Sequence, residues 1–190
     1  MSAKSKAAFI DRDGVINEER NYVYRIDDFV VLPGVIEGLS LLRDAGYRLI
    51  VVTNQAGIAR GIYDHAAMER LHGYVREQLL ADGVSLDAIY FCPHHPCGSV
   101  KEFAVECACR KPAPGMLLQA RNDFDLDLAS SVLIGDKVGD VQAGKRAGVG
   151  RTVLVESGHA LASSDLCQAD LVATDLLAAA RMLTRNTGSF

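Results

Sequence analysis

Two aspartates one residue apart, Asp11 and Asp13, close an apolar run and are followed at once by Gly14. A carboxylate is a competent nucleophile toward phosphorus: it forms an aspartyl-phosphate that water later hydrolyses, dividing one hard displacement into two easier ones. Asp11 is the candidate for that role. Asp13 is the candidate acid and base, protonating the leaving oxygen and then deprotonating the attacking water. Two carboxylates this close repel each other and a phosphate dianion, so a hard divalent cation with oxygen ligands, Mg²⁺, is expected beside them. Aspartate and glycine also crowd into ordinary turns, so the rest of the chain must decide.

Three further clusters supply the missing parts. Thr53, Asn54 and Gln55 follow the apolar run Leu49 to Val52 and bring a hydroxyl and two amides suited to phosphate oxygens. Lys111 offers a compact charge for the transferring phosphoryl group, and its neighbour Arg110 a planar fork for a second phosphate or a sugar hydroxyl. Asp136 would complete the cation site with Asp11 and a carbonyl of Asp13. Singly, each has an ordinary alternative: Lys111 a solvated charge, Thr53 a strand end, Asp136 and Asp140 turn or cap residues.

The elements that must position them follow from periodicity. Ala7 to Ile10, Leu49 to Val52, Ala88 to Phe91, Val132 to Ile134, Thr152 to Val155 and an edge segment Leu171 to Ala173 read as short buried strands. Helical spacing occupies the intervals. Val35, Leu39 and Leu42 form one stripe, and Met68, Leu71, Val75 and Leu79 another behind an Asp64 cap. Further helices run from Pro114 to about Phe124, from Val138 to Ala147, and from a Thr174 cap through Leu183. Strand, helix, strand in succession implies right-handed crossovers and a parallel sheet, with Asp11, Thr53 and Asp136 at strand ends. Asn17 to Val31 lacks a helical period and reads as a loop or short hairpin able to cover the site. The tail from Asn186 is expected to fray.

With 190 residues and 49% hydrophobic content the chain suits one well-cored domain, residues 1–190. The net charge of −4 leaves no basic footprint for nucleic acid. No run reaches membrane-spanning length, and the residues before Asp11 are too few in apolar character for a signal peptide. A cytoplasmic protein acting on small molecules, with no membrane partner and monomeric, is expected. Four of the five cysteines, Cys92, Cys97, Cys107 and Cys109, bunch in one segment, which in a reducing compartment reads as metal binding before disulfides. Cys92 with His94, and Cys107 with Cys109, are alternate residues able to face one ion, giving a closed structural Zn²⁺ site against the alternative of free thiols. His95 and Cys97 are spare donors, and Cys167 stands apart.

Taken in order, DRDGV at Asp11, VVTN at Thr53, RKP at Lys111 and GDKVGD at Asp136 resemble the four motifs of the haloacid dehalogenase (HAD) superfamily of phosphohydrolases. The resemblance implies an α/β Rossmann-like HAD fold with helices on both faces of a parallel sheet. The short interval from Asp13 to Thr53 leaves no room for a large cap domain, so a small zinc-binding loop of about residues 92–109 is the main elaboration. The zinc segment, with twelve residues between His94 and Cys107, is similar to that of the branch acting on sugar bisphosphates, and the resemblance places the chain in lipopolysaccharide-core biosynthesis. Histidinol-phosphate phosphatase, with a shorter such interval, is the alternative. The resemblance further implies that Asp11, Asp13 and Asp136 hold Mg²⁺ and that Thr53 and Lys111 steady the phosphoryl group. Arg12, Glu19, Arg20, Asn21, Tyr22, Asn54, Gln55, Arg110 and Lys137 would then contact substrate. Val15 departs from the threonine common in close relatives. A phospho-receiver module would not need Asp13, and a zinc-stapled interaction module would not need the carboxylates.

Overall fold

The computed structural model describes residues 4–185. Six parallel strands, β1 (Lys6–Ile10), β2 (Tyr47–Asn54), β3 (Ala88–Cys92), β4 (Val132–Gly135), β5 (Arg151–Val155) and β6 (Leu171–Ala173), form one sheet in the order β3-β2-β1-β4-β5-β6. Both faces of such a sheet must be covered, and the strand sequences show it. Ala7 and Phe9 of β1 join Ile50, Val52, Met116, Leu117 and Ala120 in one core layer, whereas Ala8 and Ile10 join Val51, Leu39, Met68 and Leu71 in the other. Helices α1 (Val35–Asp44), α2 (His65–Ala81) and α6 (Leu176–Thr184) bury residues in the second layer, α3 (Gly115–Phe124) and α4 (Val138–Ala147) in the first.

All six expected strands are present, as are the five expected helices. Two details differ. The cap of α6 is Asp175, whose carboxylate accepts from the Ala178 amide, so Thr174 lies one residue too early. A one-turn helix, α5 (Ser163–Leu166), was not anticipated; it buries no residue and so leaves no apolar period to read. The expected fraying of the tail from Asn186 lies outside the described residues.

The chain places β2 and β3 on one side of β1 and β4 to β6 on the other. The order therefore reverses between β1 and β4, and the crevice beyond their carboxyl ends is where open α/β sheets bind ligands. The segment after β1 arches over that crevice. It returns through an antiparallel bridge between Asn17 and Val31, carries a short 3₁₀ turn at Ile26–Asp28, and is anchored by the buried side chains of Val23 and Phe29.

Candidate active site

A cavity of about 390 Å³ opens at the switch point, and its wall includes Asp11, Asp13, Thr53, Arg110, Lys111 and Lys137. The Asp11 Oδ1 atom accepts from the Arg12 amide at 2.8 Å and from Lys111 Nζ at 3.0 Å. Its Oδ2 is left without a hydrogen bond among the described residues. Burial, reinforced by the nearby Asp140 and Asp136 carboxylates and opposed by Lys111, pushes the Asp11 carboxyl up to about 7. Lys111 is itself buried, and is tied by its ammonium to Asp11, to Asp140 at 2.6 Å and to the Val52 carbonyl at 2.6 Å. Burial alone would lower Lys111, but Asp11 and Asp140 outweigh it and hold the ammonium charged.

Asp13 is held differently. Its Oδ1 accepts from Arg12 and Asn17 and its Oδ2 from Gln55 and Arg12, at 2.8 to 3.1 Å. Burial works to raise this carboxyl; the Arg12 guanidinium and these hydrogen bonds outweigh it and keep it below the usual carboxylate range. Gln55 links Asp13 to Thr53 Oγ1 at 2.9 Å and accepts from the Tyr63 hydroxyl at 2.6 Å. Asn54 clips the Lys111 backbone by accepting from its amide and donating to its carbonyl, each at 3.0 Å. Both amides thus line the cavity while their polar ends position Asp13 and Lys111.

Two expected contacts are not where the sequence reading put them. Arg12 is 0% exposed and lies beneath Asp13, donating also to the Val23 carbonyl and approaching Met68 Sδ and His72 Nε2. The chain bends at Arg12, whose carbonyl accepts from the Val15, Ile16 and Asn17 amides, and its side chain is buried away from the cavity that Asp11 faces. Arg20 turns outward to Glu18 at 2.6 Å and does not reach the cavity wall. Glu19, Asn21 and Tyr22 do reach it, the last two at positive φ, a conformation uncommon for such residues and worth noting at a ligand site. Lys137 lies 3.4 Å from Glu19. Sequence reasoning missed Arg60, Asp140 and His159 as wall residues and counted His95 as spare. Asp140 carried a signal in GDKVGD: one oxygen accepts from the Lys137 amide as a helix cap does, and the other meets Lys111.

The donor chemistry fits a hard cation. Asp11, Asp136 and Asp140 present oxygens within 4.8 Å of one another, and the buried Asp136 Oδ1 has no hydrogen-bond partner among the described residues. An oxygen-only cluster with one orphaned acceptor suits Mg²⁺. Asp136 Oδ2 accepts from His159 Nδ1 at 2.6 Å, and a Cβ on Gly14 or Gly158 would collide with it, so both glycines are required for the approach. The Asp13 carboxylate is not in this cluster, which leaves its main-chain carbonyl as the expected ligand.

Cys92, His94, Cys107 and Cys109 converge as the spacing requires. Sulfur separations are 3.0, 3.3 and 3.5 Å, and His94 Nδ1 lies 3.3 Å from Cys109 and 3.7 Å from Cys92. Ligands about 2.3 Å from a tetrahedral ion stand roughly 3.8 Å apart, so slight expansion of the cluster would admit Zn²⁺. Cys97 and Cys167 are exposed and outside it.

Comparison with known proteins agrees with this architecture. Residues 108–179 match the family described as HAD-hyrolase-like. The chain is 49% identical over 156 residues, covering 82% of it and 85% of the relative, to D-glycero-alpha-D-manno-heptose-1,7-bisphosphate 7-phosphatase of Photorhabdus laumondii. It is 45% identical over 93% of its length, and 94% of the relative, to D-glycero-beta-D-manno-heptose-1,7-bisphosphate 7-phosphatase of Yersinia pestis. Among solved structures, D,D-heptose 1,7-bisphosphate phosphatase of B. bronchiseptica, complexed with magnesium and phosphate, superposes with a TM-score of 0.82 at 34% identity over 96% of this chain and 99% of that one.

Proposed function

From the premise that the chain belongs to the heptose-1,7-bisphosphate 7-phosphatase family of HAD-like hydrolases, we infer how its residues divide the work of removing the C7 phosphate. It is a phosphoric monoester hydrolase. The observation that carries the mechanism is the setting of Asp11, between a buried charged lysine and the orphaned oxygen of Asp136 at the switch point of the sheet.

Asp11 Oδ2, the unbonded oxygen, attacks phosphorus, and the bond from phosphorus to the C7 oxygen breaks as Asp13, ionised in the free site and protonated by the incoming phosphate monoanion, delivers that proton to the C7 oxygen. Asp13, now a carboxylate, takes a proton from water; the water oxygen attacks phosphorus and Asp11 is released with inorganic phosphate. Lys111 and the Thr53 hydroxyl hold the transferring oxygens, and Asn54 and Gln55 keep Lys111 and Asp13 in place. Glu19, Asn21, Tyr22, Arg110 and Lys137 face the remainder of the substrate. Mg²⁺, held by Asp11, Asp136 and the Asp13 carbonyl, would neutralise the carboxylates and the incoming phosphate.

Zn²⁺ in the Cys92, His94, Cys107, Cys109 cluster would have a mechanical role, because Cys109 abuts Arg110 and Lys111. Its removal by a zinc-selective chelator, with Mg²⁺ in excess, is expected to raise KM for the bisphosphate by about 10-fold or more, on the scale of displaced charge-assisted contacts. Phosphorylation of Asp11 in a single turnover should survive. Loss of that phosphorylation with KM unchanged would show that the cluster serves the chemistry directly.

The chain acts as one domain, residues 1–190, and as a cytoplasmic monomer supplying lipopolysaccharide-core synthesis, without nucleic-acid or membrane partners. Among the described residues no helix is long and apolar enough to cross a membrane. The deciding assay compares kcat/KM for heptose 1,7-bisphosphate, both anomers, with histidinol phosphate. A preference of about 100-fold or more for the bisphosphate, about 2.7 kcal/mol, is expected. The reverse preference would move the substrate to histidinol phosphate and leave the chemistry standing.

A further inference from the structure

Charge is balanced at the inner end of the cavity and unbalanced at its rim. Lys111 faces Asp11 and Asp140, and Lys137 faces Glu19. Arg60 and Arg110, also on the cavity wall, have no carboxylate within ion-pair distance among the described residues. His95 stands in the same wall, near both guanidiniums. The Cys97 amide donates to His95 Nδ1 at 3.1 Å, which makes that nitrogen the acceptor and assigns the ring hydrogen to Nε2. Nε2 lies 3.4 Å from Arg60 Nη2, so two N–H groups confront each other with no acceptor between them. Arg110 spends one donor on the His94 carbonyl at 3.3 Å; its other side-chain donors have no partner among the described residues.

Arg60 is also held in place. The loop that carries it is joined to the zinc-binding segment by Ala59 N–H donating to the Pro93 carbonyl at 3.2 Å, Val100 N–H to the Ala59 carbonyl at 2.9 Å, and Ser99 Oγ to the Arg60 carbonyl at 3.0 Å. Gly98 packs so closely on Ala59 that a Cβ there would collide with its backbone. The guanidinium lies over the Tyr22 ring at 5.9 Å. These ties fix the backbone that presents the exposed Arg60 side chain beside Tyr22 and His95. Donors gathered on one wall, with no carboxylate partner among the described residues, are matched by an oxyanion of several lone pairs and negative charge.

We propose that Arg60 and His95, acting with Arg110, bind the second, non-reacting phosphate of the bisphosphate substrate. This rests on the proposed activity, and the same chemistry could also take up free inorganic phosphate, so the test separates them. Arg60→Gln and His95→Ala are compared with the wild-type chain on heptose 1,7-bisphosphate and on p-nitrophenyl phosphate, which has no second phosphate. The expected result for Arg60→Gln is a fall in kcat/KM of about 10- to 100-fold on the bisphosphate, carried by KM, with less than about 3-fold change on the monoester. His95→Ala should fall in the same sense by about 5- to 10-fold. Equal losses on both substrates, or none on the bisphosphate, would overturn the assignment. Loss confined to inhibition by added inorganic phosphate would identify free phosphate as the occupant and overturn it too. Failure of the activity itself is read separately: a wild-type chain that does not prefer the bisphosphate to histidinol phosphate refutes the proposed function, whereas a retained preference with an unaffected Arg60→Gln refutes only the rim site.

Discussion

Asp11→Asn is expected to abolish steady-state turnover, by roughly 10⁴-fold or more, while leaving the chain folded. The substitution keeps the shape of the side chain, so an amide oxygen can still accept from the Arg12 amide and from Lys111, the two bonds now made by Oδ1. The atom replacing Oδ2 is a nitrogen with no lone pair available for attack on phosphorus. Stability should move the other way. Asp11 is buried beside Asp136 and Asp140, and its carboxyl is pushed up to about 7. A group whose pKa is raised on folding holds its proton more tightly in the native state, so its contribution to stability is full below the unfolded value of about 4 and is lost as pH rises through 7. Asparagine has no such dependence. In Mg²⁺-free buffer, Asp11→Asn should therefore gain on the wild-type chain as pH rises from about 4 to 7, read as a growing difference in Tm. Strain relief coupled to lost activity is the expected mark of a functional carboxylate. Near-normal turnover by this variant would eliminate the aspartyl-phosphate route.

What was legible in the sequence was what local pattern and strand-end position determine. Ala7 to Ile10 and Leu49 to Val52 had to be buried on both faces, so they had to be interior strands, and Asp11 and Thr53 had to stand at their carboxyl ends. The convergence of Cys92, His94, Cys107 and Cys109 was legible because alternate residues of an extended segment share a side. The burial of Arg12 beneath Asp13, among Val23, Met68 and His72, was not legible because those partners come from distant parts of the chain. Arg60, His95 and His159 left no local signal. They reach the wall because the loop after β2 packs on the segment that carries the Cys/His cluster and because the loop after β5 closes on Asp136. Such juxtapositions are decided by tertiary packing, to which a one-dimensional period is blind. Asp140 stands between these cases: its helix-cap role was readable, but the burial of Lys111 that makes its second oxygen an ion-pair partner was not.

Asp13→Asn should cost about 10²- to 10⁴-fold in kcat on the sugar phosphate, the usual scale for a displaced acid and base. The bonds around Asp13 show why the variant will be more than a kinetic lesion. Both carboxylate oxygens accept from Arg12, and Asn17 and Gln55 supply further donors. An amide nitrogen in place of one oxygen confronts a donor with a donor. Arg12, fully buried, would at the same time lose its counter-charge. His72 beside it supplies no counter-charge, being neutral or cationic; burial and then Arg12 hold that imidazole down to about 3, so it stays neutral. Breaking a buried pair in this way costs roughly 3–5 kcal/mol, and Tm should fall accordingly. A lower kcat alone would therefore not separate catalysis from damage, but the order of the two chemical steps does. p-Nitrophenolate leaves with little need of a proton, so Asp11 should still be phosphorylated by p-nitrophenyl phosphate. Only the second step, which needs Asp13 to activate water, should stall. The expected trace is a burst of about one nitrophenolate per chain followed by slow release of phosphate. A distorted but otherwise intact site would slow both steps together and give no burst, and that result would remove Asp13 from the acid and base roles.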